Sequence, residues 1–245
     1  MTFMKKVIII GASSGIGAAI ARSELKAGSF TTLVARREEE LFNLVKEFPD
    51  SKYCILKHDV KNTSEVSKLF SEIIKSMEGV DEIYYASGVL HRVELDEFNT
   101  ANDLDTISVN LLGAIAWCNQ AADYFQKQGK GKIIGISSIA GERGRVGNPV
   151  YNTSKAALNI YLEALRNRLS KKGIIVLTVK PGFIDTNMTK GMKGLFWLIS
   201  PEEAANIIRK AAKKNKEVIF VPAKWWLVAI IIKLIPDFIF KKLNI

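Results

Sequence analysis

The chain has 245 residues, 48% of them hydrophobic, and a formal net charge of +10. That length suits one α/β domain, and the apolar fraction excludes a disordered chain. Two cysteines, Cys54 and Cys118, exclude a disulfide scaffold, and two histidines, His58 and His91, argue against a His-based metal site or a Ser-His-Asp triad. Both cysteines read as buried small hydrophobes in a reducing compartment. The charge leaves three partners open: nucleic acid, an anionic cofactor, or an anionic membrane.

Met1 to Lys6 lead straight into an apolar strand, with no signal-type cleavage pattern. No apolar run reaches the ~20 residues that a spanning helix needs. The expectation is a cytoplasmic protein, at most peripheral at the inner face of a membrane. Short β-branched runs predict strands at Val7–Ile10, Thr31–Ala35, Tyr53–Leu56, Ile83–Ala86, Lys132–Ser137, Ile174–Lys180 and Val218–Val221. Helical spacing fills the gaps at Gly15–Ala27, Glu38–Phe48, Ser64–Met77, Ala101–Gln128, Val150–Lys171 and Pro201–Asn215. Strands alternating with helices predict a single Rossmann-like, doubly wound α/β domain over 1–245. Its sheet has seven parallel strands with helices on both faces. In such sheets ligands bind beyond the carboxyl ends of the strands, so the residues after each strand carry the argument.

The first strand is followed by Gly11-Ala12-Ser13-Ser14-Gly15-Ile16-Gly17 and an Ala-rich helix. Glycines let backbone amides approach a phosphate, and the helix N-terminus favours negative charge. The spacing is GxxxGxG rather than GxGxxG, so the alternative is an ordinary glycine-rich turn. After the second strand stand Ala35-Arg36-Arg37, with no carboxylate to bind a ribose 2′-hydroxyl. Two guanidiniums favour NADPH over NADH, with Arg36 the first choice to hold a 2′-phosphate and Arg37 beside it. A solvated charge pair with Glu38 to Glu40 is the alternative. Asp59, in His58-Asp59-Val60, is placed to accept from an adenine amino group or to cap its own loop. Ala86-Ser87-Gly88 forms a small-residue corner that brings backbone close to a cofactor.

Tyr151-Asn152-Thr153-Ser154-Lys155 opens a helix, and positions i and i+4 share one face. A free phenol has a pKa of about 10, and a nearby cation lowers it. A fall of roughly three units needs about 4 kcal/mol. A surface Lys beside a half-buried Tyr is the alternative. Ser137-Ser138, ending the fifth strand, converge on the same sheet edge. Asn110 is a polar residue inside an apolar helical run, and reads either as a water-holding kink or as a satisfied core amide.

Over essentially its whole length the chain resembles a short-chain dehydrogenase/reductase of the ~250-residue type. The matching pieces are Gly11-x-x-x-Gly15-x-Gly17, Asp59-Val60, Asn110, Ser137-Ser138, Tyr151-x-x-x-Lys155 and Pro181-Gly182-x-x-x-Thr186. The resemblance implies an NAD(P)-dependent oxidoreductase acting on a C=O/CH–OH pair, with NADP(H) preferred and no metal. It implies Tyr151 as proton donor, Lys155 on the nicotinamide ribose and lowering the Tyr pKa, and Asn110 on a relay water. Ser138 rather than Ser137 would hold the substrate oxygen, standing thirteen residues before Tyr151. Around the cofactor it implies Gly11, Ser13, Ser14, Gly15, Ile16, Gly17, Val60, Gly88, Pro181, Gly182 and Ile184, with Thr186 at the carboxamide or pyrophosphate. Homodimers or homotetramers are typical of such proteins. One departure is Ala86, where relatives have an Asn that braces the sheet.

The segment 183–199 contains Gly191, Gly194 and Leu195-Phe196-Trp197-Leu198-Ile199, and reads as a mobile lid over an apolar substrate or as a short amphipathic helix. The segment 222–245 carries the apolar run Trp225 to Ile235, an interfacial helix or one buried in an oligomer. From Lys213 to Ile245 seven lysines stand against Glu217 and Asp237, a net +5. Ala140-Gly141-Glu142-Arg143-Gly144-Arg145, Asn148, Val150-Tyr151 and the Phe240-Lys241-Lys242-Leu243 ending are similar to decaprenylphosphoryl-2-keto-β-D-erythro-pentose reductases. That similarity implies a lipid-linked ketone, with Arg143 and Arg145 at a lipid phosphate. Steroids, 3-ketoacyl chains or other small ketones are alternative substrates. A nucleotide-sensing scaffold on the same fold is the non-enzymatic alternative. No groove-reading or aromatic–basic module supports nucleic acid.

Overall fold

A computed structural model describes residues 4–243. Residues 1–3 and 244–245, the outer ends of the 1–245 and 222–245 assignments, lie outside the described residues.

Seven parallel strands form one sheet: β1 (Lys6–Ile10), β2 (Phe30–Ala35), β3 (Tyr53–Lys57), β4 (Glu82–Tyr85), β5 (Gly131–Ile136), β6 (Ile174–Pro181) and β7 (Val218–Val221). Their order is β3-β2-β1-β4-β5-β6-β7, so the winding reverses between β1 and β4. The crevice for a ligand opens there, beyond Ile10 and Tyr85, which are paired in register.

The helices are α1 (Gly15–Lys26), α2 (Glu38–Val45), α3 (Val66–Met77), α4 (Thr100–Ile107), α5 (Gly113–Gln128), α6 (Pro149–Leu169), α7 (Pro201–Lys213), α8 (Trp225–Leu234) and α9 (Asp237–Phe240). The unbroken apolar run of β1 follows from burial on both faces. Val7 and Ile9 face a core with Ile20, Leu25, Leu33, Val179 and Ile208. Ile8 and Ile10 face the other, with Phe70, Trp117, Ile133, Leu162 and Val176.

The helix expected over Ala101–Gln128 is interrupted. Ser108–Leu112 form a π-helical turn between α4 and α5. Apolar periodicity hides such a turn, because one extra residue widens the coil without changing its buried face. The run Trp225–Ile235 is helical to Leu234, with Trp225 and Ala229 turned inward. They pack on Ile139, with Phe183, Phe220 and Val228 partly buried around them. Segment 183–199 is not the amphipathic helix weighed from the sequence: Ile184 and Ile199 pair as an isolated parallel bridge, with turns between. Cys118 is buried as expected, whereas Cys54 is only half-buried on the edge strand β3.

Candidate active site

The loop from β1 to α1 is built around close approach. Gly11 has φ +90°, and a Cβ there would lie 2.6 Å from the Ser87 amide nitrogen. Gly17 lies beneath the loop, with its Cα against the Gly11 carbonyl. Ser14 precedes α1 in extended conformation and makes no side-chain cap. Instead Arg37 donates from Nη2 to Ser14 Oγ at 2.7 Å and Ser13 Oγ at 3.0 Å. Arg36 turns the other way, 3.8 Å from the Asp59 carboxylate.

A cavity of about 320 Å³ lies above this loop, bounded by Gly11, Ser13 and Ser14 on one side and by Val60 and Gly88 on the other. Arg36 and Arg37 close its outer end. Asp59 itself does not line it: one oxygen accepts from the Lys61 amide at 3.1 Å, the loop-capping alternative. His58 takes the inner position instead. Its ring nitrogens are buried without a hydrogen-bond partner, 3.4 Å from Glu65 at the nearest. Burial lowers its pKa, partly opposed by Glu65.

An adjoining cavity of about 420 Å³ continues over the sheet edge. Gly15 and Ile16 form its floor beside Gly88. Pro181, Gly182, Ile184 and Thr186 follow β6 along one wall. Thr186 faces Gly15, where an added Cβ would meet its methyl group at 3.2 Å. The opposite wall holds Ser138, Tyr151 and Lys155. Met188, from the segment 183–199, also lines this cavity, as does His91, which no motif had singled out; the His91 ring is paired with Asp105 at 2.8 Å.

Ser137 and Ser138 have different partners. Ser137 Oγ donates to the Lys155 carbonyl at 3.1 Å, committed to the α6 backbone. Ser138 Oγ accepts from the Ala140 amide at 3.0 Å and keeps its proton free to donate. Tyr151 Oη lies 3.9 Å from Met188 Sδ. Burial raises the Tyr151 pKa, opposed by the Ser138 hydroxyl and then by the positive charge of Arg145. Lys155 is buried, donates from Nζ to the Ile136 carbonyl at 3.1 Å, and lies 5.8 Å from the Tyr151 ring centre. Burial lowers its pKa to about 8. In the protein alone, Arg145 acts on Tyr151 as a cation alongside the motif's Lys155, which a pKa of about 8 leaves charged at neutral pH.

Asn110 sits in the π turn, fully buried. Its Oδ1 accepts from the Val89 amide at 2.8 Å, and its Nδ2 donates to the Val89 carbonyl and to Ser154 Oγ, both at 3.0 Å. The amide is satisfied, the second of the two readings, and it sits in a π turn.

The two arginines assigned to a lipid phosphate part company. Arg143 donates to the Ile232 and Ile235 carbonyls and to Asp237, and stacks 3.9 Å over the Phe240 ring. It holds the end of α8, so the phosphate assignment fails for it. Partners about ninety residues ahead in the chain are invisible to local sequence reading. Arg145 has no carboxylate partner among the described residues: it donates to Asn152 Oδ1 at 3.3 Å, and its Nε is buried without a partner.

The fit to a dinucleotide rests on this geometry. The Gly11–Gly17 loop leaves room only for close-approaching ligand atoms, two serine hydroxyls and Arg37 meet at its rim, and the cavities run together past Gly88.

Comparisons agree with the architecture. The family described as short chain dehydrogenase matches residues 5–194. An uncharacterized oxidoreductase of Mycobacterium tuberculosis is 30% identical over 227 residues, covering 91% of this chain and 89% of the relative. The 3-oxoacyl-(acyl-carrier-protein) reductase of Bos taurus is 34% identical over 188 residues, covering 77% and 79%. A short-chain dehydrogenase from Streptomyces avermitilis superposes with TM-score 0.80 at 25% identity, covering 89% of this chain and 88% of that one. The structure described as ElxO with NADP bound gives TM-score 0.80 at 24% identity, covering 89% and 97%.

Proposed function

The chain belongs to the short-chain dehydrogenase family, an NAD(P)-dependent oxidoreductase, and on that premise we propose that it is an NADPH-dependent reductase of an apolar or lipid-linked ketone. The observation that carries this reading is the meeting of Ser138, Tyr151 and Lys155 on one wall of the cavity that continues from the glycine loop.

When bound, a reduced nicotinamide would supply the hydride to the ketone carbon. Gly11, Ser13, Ser14, Gly15, Ile16 and Gly17 would hold the phosphates against the start of α1, and Pro181, Gly182, Ile184 and Thr186 would hold the nicotinamide end. Val60 and Gly88 would border the adenosine. Arg37, already gathered with the Ser13 and Ser14 hydroxyls, is the preferred contact for a 2′-phosphate. Arg36 supports it from its place beside Asp59.

Ser138 would donate to the ketone oxygen while Tyr151 delivers its proton to that oxygen as negative charge develops. Burial keeps Tyr151 protonated in the resting protein, the form a proton donor needs. Arg145 and a protonated Lys155 then offset the phenolate that remains. Asn110, fixed in the π turn next to Ser154, would orient the path by which Tyr151 regains its proton.

Arg145 also supports an anionic group on the substrate, since a largely buried guanidinium without a carboxylate partner is electrostatically incomplete. A ketone carried on a lipid phosphate meets both the charge and the apolar lid, and would confine the enzyme to a membrane surface. The bovine relative, named a 3-oxoacyl reductase, favours acyl ketones as the second reading. The test is NADPH oxidation against lipid-phosphate-linked keto sugars, 3-ketoacyl thioesters and steroids. Turnover confined to the thioesters would replace the first reading by the second, and oxidation of NADPH with none of them would remove both.

A further inference from the structure

The lid and the C-terminal helices form one surface. Phe183, Phe196, Trp197 and Trp225 cluster with ring centres 4.9 to 5.7 Å apart. From this cluster the outer face of α8 continues with Trp226, Leu227, Ile231 and Leu234, the last 76% exposed, and then Phe238. Single exposed apolar side chains are ordinary, but a contiguous strip of this kind marks an interaction surface.

Its orientation is fixed. Glu142, buried beneath α8, pairs with Lys233 at 2.5 Å and with Lys180 at 2.6 Å. Arg143 holds the carbonyls of Ile232 and Ile235. Trp225 and Ala229 are packed inward, so the helix cannot turn the apolar strip toward the core. At 1.5 Å per residue, the ten residues of α8 reach about 15 Å, half of a bilayer's hydrocarbon thickness. The helix would therefore lie flat.

Charge selects the occupant. Lys190 and Lys193 in the lid, Lys224 before α8, and Lys241 and Lys242 after α9 rim the strip, all exposed and without a carboxylate partner among the described residues. Lys224 stands over the Trp197 ring at 4.6 Å. Asp237, the acid between the helices, is engaged by Arg143. A second copy meeting this face across a two-fold axis would bring the same lysines against each other. An anionic bilayer brings the opposite charge, and takes tryptophan at headgroup depth.

We propose that this face docks flat on an anionic bilayer surface, with the apolar strip of α8 and the lid aromatics immersed at the headgroup boundary. The docking stands apart from the reductase reading, and rests on it only for the lipid-linked ketone it would bring to the neighbouring cavity, which the lid lines at Met188 and Thr189.

The full chain is mixed with vesicles of phosphatidylcholine alone or with phosphatidylglycerol, and the bound fraction is measured by sedimentation, with no ketone present. The expected result is binding to the anionic vesicles, weakened by high salt. I231D/L234D should lower that binding about tenfold or more, and K241E/K242E should lower it on anionic vesicles only. Both variants should keep the wild-type melting transition and NADPH affinity, since these residues lie outside the reductase cavities. Equal binding to both vesicle types, or unchanged binding of I231D/L234D, overturns the proposal. So does absent vesicle binding, and with it a wild-type dimer that I231D/L234D converts to monomer would assign the face to a second copy. Vesicle binding without turnover of any ketone would sink the reductase reading alone.

Discussion

The Tyr85 hydroxyl, buried at the end of β4, donates to the Val109 carbonyl at 2.6 Å. Val109 lies in the π turn, where the wider coil frees carbonyls from the regular helical ladder. A tyrosine from the sheet thus holds the kink that presents Asn110 to Val89 and Ser154. Gly113 is part of the same fit, because a Cβ there would lie 2.6 Å from the Tyr85 oxygen. Tyr85→Phe should leave that carbonyl without its donor and cost about 1–3 kcal/mol. Urea unfolding reads this as a lower midpoint at constant slope. An unchanged midpoint would mean that the π turn holds itself.

Cofactor choice divides the two adjacent arginines. Arg37 faces the serine hydroxyls of the loop, whereas Arg36 faces Asp59. Arg37→Ala should weaken NADPH binding about ten- to hundredfold, the scale of losing hydrogen bonds to a charged group. NADH binding should hardly move. Arg36→Ala should have the smaller effect, and calorimetric titration of both dinucleotides compares the two. A larger loss at Arg36 would restore the order expected from the sequence.

Gly182, after β6, lies against the indole of Trp225, the first residue of α8, with no room for a Cβ between them. Gly182→Ala should cost about 1–3 kcal/mol through overpacking. Trp225→Ala should cost about 3–5 kcal/mol through the cavity it leaves. Because the two changes share one contact, the double variant should be less destabilised than the sum. Additive losses would show that the contact does not couple the tail to the Pro181–Gly182 wall of the cavity.

Lys155 gives stability a sign at alkaline pH. Burial takes its pKa from 10.5 in the unfolded chain to about 8 in the folded one. Below about 8 both states are charged and the folded protein bears the full desolvation penalty. Between 8 and 10.5 the unfolded state binds more protons, so this group's contribution to stability rises with pH. Lys155→Met removes the term. The melting-temperature difference, variant minus wild type, should therefore fall as pH rises through that window, in protein freed of cofactor. The loss of the donor to Ile136 is independent of pH, so the trend is the readout. A flat difference would mean that Lys155 is not charged at neutral pH or not desolvated.

How much of this was legible follows from where each partner sits. The strands declared themselves because β1 and β6 are β-branched runs buried on both faces, and the glycine loop because its neighbours in sequence are its neighbours in space. Ser138, Tyr151 and Lys155 were legible as a set because the single connection from β5 into α6 carries them. Asp59 was read as an adenine contact or a loop cap, and one of its oxygens makes the cap, since one motif serves both purposes. That Arg37 meets the Ser13 and Ser14 hydroxyls while Arg36 meets Asp59 was beyond reach, because side chains of consecutive residues diverge by a direction that the sequence does not print. Arg143 was expected at a lipid phosphate, and only the fold brings α8 over it and over Glu142.

If Tyr151 gives the proton to the ketone oxygen, as proposed, Tyr151→Phe removes the donor itself. The substitution removes one oxygen and keeps the ring that lines the cavity. The expected result is wild-type NADPH affinity by fluorescence titration and a loss in kcat of about 10²–10⁴, the usual scale of a positioned proton donor. Turnover within a few-fold of wild type at neutral pH, with NADPH still bound, would contradict it.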